Sequence, residues 1–152
     1  MTALGDFSSG DVLTAADLNA IGTWTTFTPT WNNVTVGNGT VTAEYCQINE
    51  IVFWRVELLF GSTTAFTGTV NIDYPVTADD TYLGAIGGSV FCDDADDTDY
   101  YGALFRNSTS RCNPRAYSVT GSFIAGQSIN ATNPFTWTTG DRLVIEDFYR
   151  PA

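Results

Sequence analysis

The chain has 152 residues, 43% of them hydrophobic and 14% aromatic. That is enough apolar material for one packed domain with an appendage, and too much for a disordered chain. Its 17 acidic and 6 basic residues give a formal charge of -11, which disfavours nucleic acid and anionic membranes as partners. All six basic residues are Arg and there is no His, so imidazole and lysine chemistry are unavailable for catalysis or metal binding.

Residues 1–23 read as a docking arm separate from the body at 24–152. The opening lacks a basic region and an apolar core, so no secretory signal is expected. No apolar run reaches membrane-spanning length, and synthesis in a cytoplasm is expected. After a polar turn around Gly10, Leu13 to Ile21 read as one short helix. Thr14 is its expected N-cap, Asp17 completes a box, and Gly22 stops it. So short a helix needs a surface to pack on. Phe7, Val12, Leu13, Leu18 and Ile21 are the apolar residues it offers to a partner.

From Trp24 onward the pattern predicts strands and turns. Val34–Val36 and Thr40–Tyr45 flank Asn38-Gly39, the favoured hairpin turn pair, and are predicted to pair. A second hairpin joins Glu44–Ile48 to Ile51–Phe60 through Asn49-Glu50. In its second strand Val52, Trp54, Val56 and Leu58 share the predicted core face. Phe53, Arg55, Glu57 and Leu59 share the other face, whose mixed character suits a subunit interface. Further strands are predicted at Thr67–Tyr74, Tyr82–Cys92, Tyr100–Arg106, Ala116–Ile124 and Arg142–Tyr149, punctuated by Gly61, Pro75, Asn113-Pro114 and Asn133-Pro134. Many short strands without intervening helices predict an all-β fold, an antiparallel, jelly-roll-like β-sandwich.

Asp93-Asp94-Ala95-Asp96-Asp97-Thr98-Asp99 is the densest run of charge. Asp93, Asp94, Asp96, Asp97 and Asp99 form a Ca²⁺ candidate, since that ion takes oxygen ligands. The EF-hand spacing fails, so the first reading is a solvated loop, and no metal or other cofactor is expected. Arg106, Arg111 and Arg115 are the nearest cations and its expected partners. Glu44, Glu57 and Asp73 are the acids a glycoside hydrolase would need on strands, but no spacing selects them. Trp31, Tyr100, Tyr101, Tyr117 and Trp137 are candidates for stacking on sugar rings, against the ordinary reading of core packing. Cys46, Cys92 and Cys112 form no CxxC pair, so buried reduced thiols are expected. The sequons at Asn33, Asn38, Asn107 and Asn130 are read as turn residues.

Several segments together resemble small bacteriophage structural proteins. Phe7-x-x-Gly10-x-x-Leu13-Thr14-Ala15-Ala16-Asp17-Leu18-Asn19 is similar to the "LTAADLN" arm of phage tail-fibre, minor tail and decoration proteins. Phe27-Thr28-Pro29-Thr30-Trp31, Gly37-Asn38-Gly39-Thr40, Tyr45-Cys46-Gln47-Ile48, Val52 to Leu58 and Trp137 to Leu143 follow in a similar order. Residues 93–115 lie outside the likeness. The resemblance implies a non-enzymatic virion structural protein, a jelly-roll-like body, a homotrimer, and other capsid or tail proteins as partners. A chain of this charge is expected to face away from the packaged genome. The alternative reading is a receptor-binding tip for host cell-surface glycans.

Overall fold

A computed structural model describes residues 12, 14, 15, 21–82, 84, 86–95, 98–120 and 122–152. Phe7, Leu13, Leu18, Asp96 and Asp97 lie outside the described residues, as does most of the predicted arm helix.

Ten strands follow one another, β1 (Thr25–Thr26), β2 (Trp31–Thr35), β3 (Thr40–Ile48), β4 (Ile51–Leu59), β5 (Ala65–Asp73), β6 (Ile86–Asp93), β7 (Tyr100–Arg106), β8 (Arg111–Thr120), β9 (Phe123–Ser128) and β10 (Arg142–Tyr149). Among the described residues one 3-10 turn, Asp80–Tyr82, interrupts them. All pairings are antiparallel, in the order β1-β3-β4-β10-β6-β7-β8-β5-β2, with β9 on β8. The all-β antiparallel expectation therefore holds. The strand path is one continuous sheet curled into a half-barrel, not two separately bonded sheets.

The core lines the concave face. Val52, Trp54, Val56 and Leu58 of β4 are buried, as are Leu143 and Ile145 of β10, Val90 and Cys92 of β6, and Leu104 of β7. Each buried aliphatic side chain contributes about 1.5–3 kcal/mol by leaving water. At one end Phe60, Phe66, Phe135 and Trp137 interlock, with Trp137 stacked 5.0 Å from Phe60 and 4.5 Å from Phe135. At the other, Trp54, Tyr74 and Tyr149 surround a buried ion pair, Arg106 to Asp147 at 3.2 Å. Burial raises the Asp147 carboxyl above the usual carboxylate range, and the Arg106 guanidinium pulls it back down.

Three further sequence expectations change here. The Asn38-Gly39 turn does not close a hairpin: β2 pairs with β5 and β3 with β4, at opposite ends of the sheet. The β2–β3 and β4–β5 links therefore both cross the open mouth of the half-barrel. They lock together where Asn38 donates from its backbone N–H to Thr63 Oγ1 (2.9 Å) and from Nδ2 to Ser62 Oγ (3.1 Å). Asn38 Oδ1 accepts in return from the Thr63 N–H and hydroxyl, both at 2.9 Å. Gly37 has φ +58°, and a Cβ there would collide with Thr63.

The segment read as one strand from Ala116 to Ile124 is instead the hairpin β8–β9, with Thr120 opposite Phe123. Asn113-Pro114, read as punctuation, lies inside β8. There β8 changes partner, from β5 at Cys112 to β9 at Arg115. The ladder is interrupted at that fork, so a residue without an N–H is tolerated. Asn113 fills the gap, donating to Val70 O (2.7 Å) and accepting from Ser128 (2.8 Å).

Two substitutions test these locks by urea unfolding. Arg106→Met strands the Asp147 charge and should cost about 3–5 kcal/mol. Asn38→Ala removes exposed, neutral hydrogen bonds and should cost only about 1–2 kcal/mol.

Candidate interaction surfaces

Side chains alternate along a strand, so burying Val52, Trp54, Val56 and Leu58 turns Phe53, Arg55, Glu57 and Leu59 to the convex face. Register sets their neighbours. Phe53 lies opposite Phe148 of β10, its ring centroid 6.1 Å away, and Arg55 lies opposite Glu146 and Glu44. Arg55 Nε reaches Glu146 Oε1 at 3.3 Å, and its Nη2 reaches Glu57 Oε2 at 3.7 Å. One cation is thus shared between acids on two strands, with the Glu44 position of a third beside it. A groove of about 720 Å³ opens here, with Trp24, Phe53, Arg55, Glu146 and Phe148 on its walls. Its far side is the β6 bulge, where the register against β7 slips between Gly87 and Val90 and Gly88 takes φ +60°. A side chain on Gly88 would strike the Glu146 carbonyl.

Of the four convex residues expected at an interface, Phe53 and Arg55 line this groove. Glu57 is held by Arg55, and Leu59 lies further along, near the crossing links. Sequence reasoning missed Trp24, Glu146 and Phe148. The alternation of β10, with Leu143, Ile145, Asp147 and Tyr149 buried and Arg142, Glu146 and Phe148 exposed, was the available signal for two of them.

The described residues from Gly22 to Thr26 run beside this groove. Thr25 pairs with Tyr45, and Gly22 approaches the Ile48 side chain, so the chain comes in at the end of the half-barrel carrying the Asn49-Glu50 turn. Of the arm's apolar residues, Val12 and Ile21 are described, and both are exposed. Trp24, at the rim, is 48% exposed.

The acidic run caps the opposite end. Asp93 pairs with Arg142 at 3.8 Å. The expected partners are engaged elsewhere: Arg106 with Asp147, Arg111 with Asp73 at 2.7 Å, and Arg115 with Asn113 and the Phe105 ring. The loop is anchored by the fully buried Asp141, which accepts from Ala95 N at 3.1 Å and from Thr138 N. Among the described residues no group of three carboxylates or thiols converges to hold a metal ion. Asp73, bound to Arg111, and Glu44 and Glu57, gathered around Arg55, do not make a facing pair across a cleft.

The five candidate sugar-stacking aromatics divide. Trp31, Tyr100 and Trp137 pack against the core, Trp137 on Phe60 and Tyr100 5.5 Å from Phe135. Tyr101 and Tyr117 stay exposed on the convex face of the adjacent strands β7 and β8. The four sequon asparagines hold bulges and turns. Asn33 donates to Thr69 O, Asn107 to Asn71, Asn38 bridges the crossing links, and Asn130 accepts from Thr132.

The three cysteines are free and buried. Cys92 and Cys112 face the core, and burial pushes the Cys92 thiol up to about 12 and Cys112 higher still. Cys46 lies opposite Phe53 on the convex face, under a thinner cover that raises its thiol less. With a thiol reagent at neutral pH, Cys46 should label first. Cys92 and Cys112 should react only on unfolding, as peptide mapping by mass spectrometry would record.

A scan of protein-family models and searches of curated proteins and solved structures find no match to this chain.

Proposed function

We propose that this chain is a non-enzymatic structural protein of a bacteriophage particle, a capsid decoration or minor tail or fibre component, built as a homotrimer. In this reading the arm docks on another virion protein and the β body projects outward. The phage assignment rests on the resemblance carried by Leu13 to Asn19 and the motifs after it. The observation that carries the architecture is the contrast between the two ends of the half-barrel.

At one end the arm enters beside a groove of exposed aromatics, Trp24, Phe53 and Phe148, around a shared Arg55. Exposed aromatic residues flanked by charge suit a docking contact. At the other end lie the acidic loop and the β8–β9 hairpin. Anchoring at the first end directs the acidic loop away from the particle, where its charge keeps closely spaced copies soluble.

The glycan-binding alternative has less support. Three of its five candidate aromatics are packed against the core, leaving Tyr101 and Tyr117.

Deleting residues 1–22 tests the docking role. The truncated protein should unfold with the same urea midpoint as the full chain and fail to cosediment with particles. Retained cosedimentation would overturn the arm's role. Retention of the full chain on tailless heads would assign it to the capsid, and its loss there to the tail.

A further inference from the structure

We propose that the convex face of the β8–β9 hairpin, carried on to β7, is the surface through which copies of this chain bind one another. The residues are Tyr101, Tyr117, Val119 and Ile124. Register puts them on one side of the sheet: Gly102 lies opposite Ala116, Tyr117 opposite Gly126, and Val119 opposite Ile124. Val119 is 80% exposed, Ile124 73%, Tyr101 63% and Tyr117 48%. Four neighbouring apolar side chains so exposed make a patch of several hundred square ångströms, the size at which a surface marks an interaction site. Phe123, next to Ile124, faces the other way by alternation, and it is 80% exposed because the hairpin runs on past the last residue of β8 paired to β7.

Charge selects the occupant. Residues 116–140 contain no Asp, Glu, Lys or Arg, although the whole chain carries -11. Identical copies repel each other across every acid-rich face, so an uncharged sector is where they can approach. A basic partner would be drawn instead to the acidic loop or to the carboxylates around Arg55.

The hairpin's free edge supports the same occupant. Among the described residues β9 pairs with β8 alone. Its outer edge is covered at Gln127 and Ser128 by the Asn133 amide, while no strand of the described residues lies alongside Phe123 to Gly126. Free edges are ordinarily guarded by Lys, Pro or an inward charge, and β9 has none of these. A neighbouring copy seated on this sector covers both the edge and the stripe.

This contact deepens the homotrimer proposed above by naming its surface, and its test is independent of any particle. The full chain is run by sedimentation velocity over a range of concentrations, alongside Val119→Asp/Ile124→Asp and the milder Val119→Ser/Ile124→Thr. Phe148→Asp, on the distant groove, is the control, and circular dichroism checks that each variant is folded. The wild type and the control should associate, and both hairpin variants should associate at least about tenfold more weakly, or about 1.4 kcal/mol. Association should strengthen as salt rises, because screening relieves repulsion between the acidic copies. A wild type that stays monomeric throughout, folded hairpin variants that associate like the wild type, or association that salt dissolves would each overturn the proposal. Intact association with failed cosedimentation of the full chain would sink the virion reading alone.

Discussion

The crossing of two chain links over the open mouth of the sheet is the constraint on which the other features depend. β2 and β3 are consecutive, yet they belong to opposite ends of the strand order, and so do β4 and β5. Only four residues, Val36 to Gly39, separate the end of β2 at Thr35 from the start of β3 at Thr40, a link that spans at most about 17 Å, so the sheet's two ends must come close together there. A flat ten-stranded sheet cannot satisfy that, and curling does. Curling then makes one face concave and dry, closed at the crossing end by Phe60, Phe66, Phe135 and Trp137. The convex face is left to carry whatever the protein presents to others. The Asn38 hydrogen bonds to Ser62 and Thr63 hold the two links in contact. They are individually weak, but they sit where a small loss of contact opens the mouth over the aromatic cluster.

Much of the body was legible because alternation is a strong signal when one face is dry. The bounds of β7 and β10 were read correctly, and the core and convex faces of β4 were assigned residue by residue. Pairing was less legible. Asn38-Gly39 is a local instruction to turn, and nothing local says whether the flanking strands meet or part. Pro114 misled for a related reason: a missing N–H usually ends a strand, but here it falls at the fork where the ladder changes partner. The arginines were misassigned because nearness in sequence was taken for nearness in space. Arg106 reaches across the core to Asp147, while the acidic run is met by Arg142, which lies beside Asp93 only through the β6–β10 pairing. The groove was half legible, since Phe53 and Arg55 are on a strand whose faces could be read, and Glu146 and Phe148 join them only through register.

Charge explains why the convex face is divided. Arg55, Arg111, Arg142 and Arg150 each bridge acids from other strands or loops, so the few cations are spent stitching the sheet together. Surface pairs of this kind stabilise little individually. Their larger effect is to lower like-charge repulsion where strands bearing Glu and Asp lie side by side, as around Arg55. Arg115 differs: it lies 4.0 Å from the Phe105 ring centre and donates to Asn113. It marks the boundary beyond which the chain carries no charge until Asp141.

That boundary matters because the two exposed apolar regions have different electrostatic settings. Trp24, Phe53 and Phe148 are interleaved with Glu44, Arg55 and Glu146, so a partner seated there must offer polar groups as well as apolar ones, and a mixed surface of that kind selects among partners. Tyr101, Tyr117, Val119 and Ile124 border an uncharged sector, which discriminates little by charge and tolerates a like-charged neighbour. In the proposed reading, docking beside the selective surface and self-association at the permissive one are different tasks, given to the two ends of a single curled sheet. The first suits attachment to a different protein, and the second suits repetition of the same one.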